Sequence, residues 1–206
     1  MIAIDDFLTL ILPKAPGCPY PTARIAIIQA ANDICERSNL WKHTETAYVQ
    51  DESDIEFAPP NGAIVMDFES ILFGDQKLEG KTPDWMDRCM SGWRRGGIQG
   101  YPKYFTQMNI GTLRIAPLEN GELTITCTLK LAADADEVPD FIYQQFSEMV
   151  AWGALARILS TPEQPFTDFG MGAQYLGAFN MKLDSLSFKE AKGQQRARYR
   201  ARAHYS

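Results

Sequence analysis

Histidine is scarce, with two in 206 residues, His43 and His204. Neither belongs to a recognisable triad or metal-ligand cluster, so both read as surface or capping residues. Cysteine is sparse as well: Cys18, Cys35, Cys89 and Cys127 lie far apart and form no C-x-x-C pair. Zinc ribbons and redox motifs need close pairs, so the four read as reduced, small apolar residues of a cytosolic protein. No apolar run approaches the roughly 18–20 residues of a membrane span. The first residues, Met1-Ile2-Ala3-Ile4-Asp5-Asp6-Phe7, have no basic region and meet acid at Asp5, so no secretory signal is expected. P-loop, dinucleotide, nucleophile-elbow and H-E-x-x-H patterns are all missing. With 15 glycines and 12 prolines the chain is neither collagen-like nor a linker. Positive charge is not in surplus: the net charge of −6 argues against a generic DNA-coating protein.

What remains is globular composition. Hydrophobic residues make up 45% and charged residues 22%, enough to build a core in one domain or two small ones. Ile4, Phe7, Leu8, Ile11 and Leu12 fall at helical spacing and stop at Pro13. Pro21 suits the first turn of a helix to about Arg37, with Ala23, Ile27, Ala31, Ile34 and Cys35 on one face. Its small residues Ala26, Ala30 and Ala31 permit close helix packing.

From Trp41 to about Leu131 short alternating runs take over. Strands are expected at Ala47–Val49, Ile64–Phe68, Ile71–Phe73, Lys77–Leu78, Tyr104–Met108 and Thr112–Ile115, with a tight turn at Gly74-Asp75. Leu123, Ile125, Cys127 and Leu129 alternate with threonines, the mark of a half-buried strand, and Asn120-Gly121 before them reads as a hairpin turn. Helical periodicity returns after Pro139, through Ile142, Phe146, Met149, Val150, Ala154, Ile158 and Leu159. After Thr161-Pro162 a last helix carries Tyr175, Leu176, Phe179, Leu183 and Leu186 on its buried face. The fold class is therefore α+β. N- and C-terminal helices (1–41 plus 138–188) form a helical bundle, 42–137 is an antiparallel β insertion, and 189–206 is an extended basic arm.

Three charged segments invite a functional reading. Arg94-Arg95, within Gly92 to Gly100, suggests anion binding, but the glycine spacing fits no phosphate loop and a mobile inter-strand loop is the better reading. The acids Asp51, Glu52, Asp54 and Glu56, and Asp134, Asp136 and Glu137, lack calcium-loop spacing and read as solvated turns. The arm is different. Lys189, Lys192, Arg196, Arg198, Arg200 and Arg202 stand against Glu190 alone, a surplus of +5 that leaves −11 on the first 188 residues. Arginine at every second position puts four guanidinium groups on one face of an extended strand. Such a tail can solubilise, can contact nucleic acid through arginine and Tyr199, or can dock on an acidic partner protein.

Four segments together carry a resemblance. They are Ile11-Leu12-Pro13 with Pro16-Gly17-Cys18-Pro19 before a helix ending Ile34-Cys35-Glu36-Arg37-Ser38 and Trp41; Gly100-Tyr101-Pro102-Lys103-Tyr104-Phe105 followed by Leu113-Arg114-Ile115-Ala116-Pro117; Val138-Pro139-Asp140 leading to Ala151-Trp152-Gly153-Ala154-Leu155-Ala156-Arg157-Ile158-Leu159; and Phe166 with the Tyr175-to-Phe188 helix before the arginines. In order and spacing the chain resembles the head-to-tail adaptor (connector) proteins of tailed bacteriophages, including the tubular adaptor of short-tailed phages. The stretch Trp85 to Gly97 departs from that pattern, being longer and richer in Trp and Arg.

The resemblance implies a virion structural protein and not an enzyme, with no cofactor or metal. It implies synthesis in the host bacterial cytoplasm and a place at the head-tail junction. The partners implied are a homo-oligomeric ring, usually of twelve copies, the portal protein above, a tail or nozzle protein below, and genomic DNA in transit; no membrane is involved. A ring is the closed product of one repeated heterologous interface, and an acidic body lets DNA pass without gripping it. The implied portal-docking arm comprises Lys189, Lys192, Arg196, Arg198, Tyr199, Arg200, Arg202 and Tyr205. Other readings are a nucleic-acid-binding packaging or regulatory module, another neck or tail-completion protein, and a hydrolase using carboxylates that no spacing reveals.

Overall fold

Both chain ends supply helix and the middle supplies sheet, in an α+β architecture. The computed structural model describes residues 1–50, 54–95 and 98–190. Two compact units result: Met1–Leu40 with the chain from Lys130 onward, and Trp41–Leu129. Residues 130–137, which the sequence assigns to the β segment, thus pack with the helices. Among the described residues no helix is long and apolar enough to cross a membrane.

The first unit opens with a two-residue strand, Ile2–Ala3 (β1), paired antiparallel with Glu137–Val138 (β10). A 3-10 turn over Ile4–Phe7 passes into Leu8–Ile11 (α1). The longer helices are Tyr20–Ser38 (α2), Asp140–Leu159 (α4) and Phe169–Glu190 (α5), each packed against the other two. Pro21 falls in the first turn of α2, where its missing N–H is harmless, and Asn39 ends the helix in the left-handed conformation. Gly153 of α4 sets the closest approach, because a Cβ there would meet Ala30 at 2.8 Å and the Phe179 ring at 2.9 Å. Ala26, Ala30 and Ala31 are all buried; these small residues serve packing inside the unit and are not available to a neighbour.

The 130–137 segment joins this unit through directed polar contacts. Arg24 donates to the carbonyls of Asp134 (3.3 Å) and Ala135 (2.7 Å) and pairs with Asp136 at 2.6 Å. Asn32 donates to the Leu131 carbonyl at 3.0 Å and accepts from its N–H at 2.8 Å, completing the backbone bonding of a strand end. Asp136 makes this pair while its side chain stays 82% exposed, so the acidic segment lies at the surface as the sequence suggests. On α5, Phe179 and Leu186 are buried as expected, but Leu176 points outward and is 48% exposed.

The second unit is a pair of four-stranded sheets. One has the order Lys42–Val49 (β2), Gly121–Leu131 (β9), Ala63–Phe73 (β4), Gln76–Lys77 (β5), and the other Asp54–Glu56 (β3), Thr112–Ala116 (β8), Tyr104–Asn109 (β7), Glu79–Gly80 (β6). Side chains of both meet in one core: Val49, Ile71, Phe73, Leu123 and Ile125 from the first, Ile55, Leu113 and Ile115 from the second. Pairing is antiparallel except for β6 with β7, which is parallel. Gly74-Asp75 makes the expected two-residue turn, with φ of 55° at Gly74 and the Phe73↔Gln76 pair closing it.

Other expectations change. β4 runs unbroken from Ala63 to Phe73, where the sequence suggests two strands. Asn120-Gly121 is not a hairpin turn: β8 and β9 lie in different sheets, so this segment carries the chain from one sheet to the other. The hairpin joining β7 and β8 turns instead at Ile110-Gly111, with Gly111 at φ 81° and Ile110 97% exposed. The segment beginning at Trp85 is not simply a loop. Pro83–Cys89 (α3) is a helix capped by the Thr82 hydroxyl, which accepts from the Trp85 N–H at 3.3 Å, and a 3-10 turn follows at Trp93–Arg95.

Candidate functional site

Of the arm residues, Lys189 lies in the last turn of α5; Lys192, Arg196, Arg198, Tyr199, Arg200, Arg202 and Tyr205 lie outside the described residues. Arg94-Arg95, the pair that suggests anion binding in the sequence, lies in the 3-10 turn over Trp93–Arg95. Arg94 makes a two-pronged pair with Asp87 at 2.7 and 2.6 Å. Arg114 makes another with Asp54, both contacts 2.5 Å, and donates to the Arg94 carbonyl at 2.9 Å. Both guanidinium groups lie over the ring of Trp93, which is 3% exposed, Arg94 at 5.0 Å and Arg114 at 5.6 Å, and its indole N–H donates to Asp87 at 2.9 Å.

This cluster is a clamp with its charges already matched. It fastens α3 and the 3-10 turn to β8 and β3, and its aromatic centre packs with Met86 and Ala116. The Arg94 hydrogen bonds, then the Trp93 indole, hold the Asp87 carboxyl down at about 2. Arg114 holds Asp54 below its ordinary value. Asp54 and Glu56 thus belong to a strand and not to a solvated turn, while Asp51 and Glu52 lie outside the described residues. Lys81 is likewise committed: it pairs with Glu79 and sits over the rings of Trp85 (4.8 Å) and Tyr104 (5.9 Å).

Nucleophiles and ligands are equally dispersed. Among the described residues no group of three His, Cys, Asp or Glu is placed to hold a metal ion. His43 lies on β2, half-buried, edge-on to Phe57 at 6.2 Å and 3.9 Å from Glu45, and not at a helix end. Cys18, Cys35 and Cys127 are buried and Cys89 is exposed, all as free thiols. Burial pushes the Cys35 thiol up to about 12 and the Cys127 thiol to about 11, which keeps both protonated and poorly nucleophilic.

The open features are surfaces. A groove of about 160 Å³ runs between α4 and α5, floored by Phe146, Met149, Trp152 and Leu186 and rimmed by Glu148 and Lys182. The outward side of α5 shows Phe169, Leu176 and Met181, the last 77% exposed, and α2 shows Ile25. Sequence reading does not find the Asp54–Arg114–Trp93–Arg94–Asp87 clamp, because its members come from four separate segments. One local signal does precede it: Thr82-Pro83-Asp84 is a helix start with a hydroxyl cap, proline in the first turn and an acid beside it. No protein-family model matches the chain, and no curated protein matches it significantly.

Proposed function

We propose that this chain is a structural building block of a bacteriophage virion: a head-to-tail adaptor that assembles as a ring beneath the portal, lines part of the DNA exit path and offers the tail its attachment platform. The observation that carries the reading is the order of parts. Helices from both chain ends form one unit, a two-sheet unit is inserted between them, and an acidic body is followed by an arginine-rich end. The best-formed charged cluster, around Trp93, is internally neutralised and suits a rigid part better than a turnover site. An excess of negative charge on the body favours passage of DNA over retention.

In this reading the arm, Lys189 to Ser206, docks on the portal through arginine–carboxylate pairs and orders as it binds. Removing residues 193–206 is expected to abolish co-sedimentation with a purified portal ring while leaving the far-ultraviolet dichroism of the chain unchanged. Undiminished portal binding by the truncated chain refutes that role. The second reading, a nucleic-acid-binding module, draws on the Arg-Tyr alternation of the same segment. It predicts instead a DNA mobility shift that weakens steeply with salt.

A further inference from the structure

Sheet edges are ordinarily kept short, charged or covered, since an unpaired row of N–H and C=O groups recruits another strand. The β3–β8–β7–β6 sheet obeys this, its edge strands being three and two residues long. The other sheet keeps charge at its edges but not brevity. β2 is an edge strand of eight residues, without proline. On the far side β5 pairs only with Leu72 and Phe73 of β4, leaving residues 64–70 with no strand beyond them among the described residues.

The backbone groups facing these edges can be named. Trp41 accepts from the Leu129 N–H at 2.8 Å, so those two form a hydrogen-bonded pair, and the register continues unbroken from Lys42↔Thr128 to Val49↔Gly121. By the alternation of an antiparallel ladder, His43, Glu45, Ala47 and Val49 turn their N–H and C=O groups to β9, and Lys42, Thr44, Thr46 and Tyr48 turn theirs outward. On β4, Ile71 accepts from Leu78 at 2.8 Å on the β5 side. Continuing that alternation, Glu69 faces the open edge, where its carbonyl has only the Lys77 ammonium at 3.4 Å. The charges at the two edges are already matched within one chain, Lys42 of β2 to Glu69 of β4 at 2.7 Å, so what each edge offers a partner is its backbone.

We infer that β2 of one copy pairs with the open stretch of β4 of the next copy, so that the sheet continues from subunit to subunit. Two edges of similar length on opposite sides of one sheet form a heterologous interface, which closes into a ring when the repeated rotation allows. A second copy satisfies both edges at once. This inference rests on the assembly reading above and adds to it the surface by which copies join.

Thr46→Pro tests it. Proline removes an outward N–H and none of the bonds to β9, a position at which an edge strand tolerates it. The expected result is a wild-type chain that sediments as a ring and a variant of wild-type dichroism that sediments as a 23.1 kDa monomer. The wild-type chain supplies a second readout that needs no variant: assembly should slow hydrogen exchange at the Thr44, Thr46 and Tyr48 amides and leave His43, Glu45 and Ala47 unchanged. A Thr46→Pro ring of wild-type mass, or exchange at the three outward amides unaltered by assembly, overturns this interface and leaves the ring itself standing. A wild-type chain that stays monomeric at every concentration overturns both.

Discussion

Asn32 is the most exposed test of how the helical unit holds its strand end. Its amide bonds both backbone groups of Leu131, at 3.0 and 2.8 Å, and Leu131 is 1% exposed. Asn32→Ala removes two hydrogen bonds, each worth about 1 kcal/mol net, and leaves a buried N–H and C=O whose desolvation adds about 1 kcal/mol or more. The expected loss is about 2–4 kcal/mol, which at roughly 2–4 °C per kcal/mol for a chain of this size lowers the melting temperature by about 4–16 °C. Asn32→Asp sharpens the test. Its ionised carboxylate still accepts from the Leu131 N–H but turns a second oxygen on the Leu131 carbonyl, whereas the protonated acid donates there as the amide does. Ionisation is then disfavoured in the folded state, so the folded pKa of the new acid is raised. The variant should lie closest to wild type below the ordinary carboxylate pKa and fall behind as pH rises. Thermal melts followed at 222 nm at pH 4 and pH 7, with wild type alongside, read both effects. An Asn32→Ala chain melting within about 1 °C of wild type, or an Asn32→Asp deficit independent of pH, refutes the reasoning.

Two further expectations concern titration and reactivity. With Asp87 held down at about 2 by Arg94 and Trp93, its contribution is present above the ordinary carboxylate pKa and lost as pH falls toward 2. The melting-temperature gap between wild type and Asp87→Ala should stay constant from pH 7 to pH 5 and close below about pH 4; a gap that persists at pH 2 contradicts the clamp. With three thiols buried and one exposed, a disulfide reagent at pH 8 should release one equivalent rapidly, at Cys89, and the other three only in denaturant; a fast second equivalent contradicts the burial of Cys18, Cys35 or Cys127.

Periodicity made the regular elements legible where one face is buried and the other wet. Leu123 to Leu129 alternate with threonines because β9 has one wet face, and α4 announces itself because its apolar residues repeat at helical spacing. The same logic hid β2. Its first residues, Lys42 to Thr46, are polar because an edge strand with an exposed face has little apolar surface to bury. Asn120-Gly121 misled for a different reason: a local turn preference cannot say whether the flanking strands share a sheet, which distant pairings decide. The glycines at Gly92, Gly96 and Gly97 concealed α3, whose Thr82-Pro83 start was the better guide. As for the candidate surfaces, the charge of the arm is visible in the sequence, but whether a strand lies at an edge is settled by which distant segments pair with it.

The helical unit takes its members from both sides of the inserted sheets, and this sets an order of events during synthesis. The β unit, Trp41–Leu129, has its whole core in one contiguous stretch and can form as soon as that stretch has left the ribosome. α2 must wait for α4 and for Phe179 of α5 before Gly153 and Ala30 can meet. A nascent chain therefore carries finished sheets before the helical half is formed, and any joining of copies that needs both halves is deferred until α5 has been made.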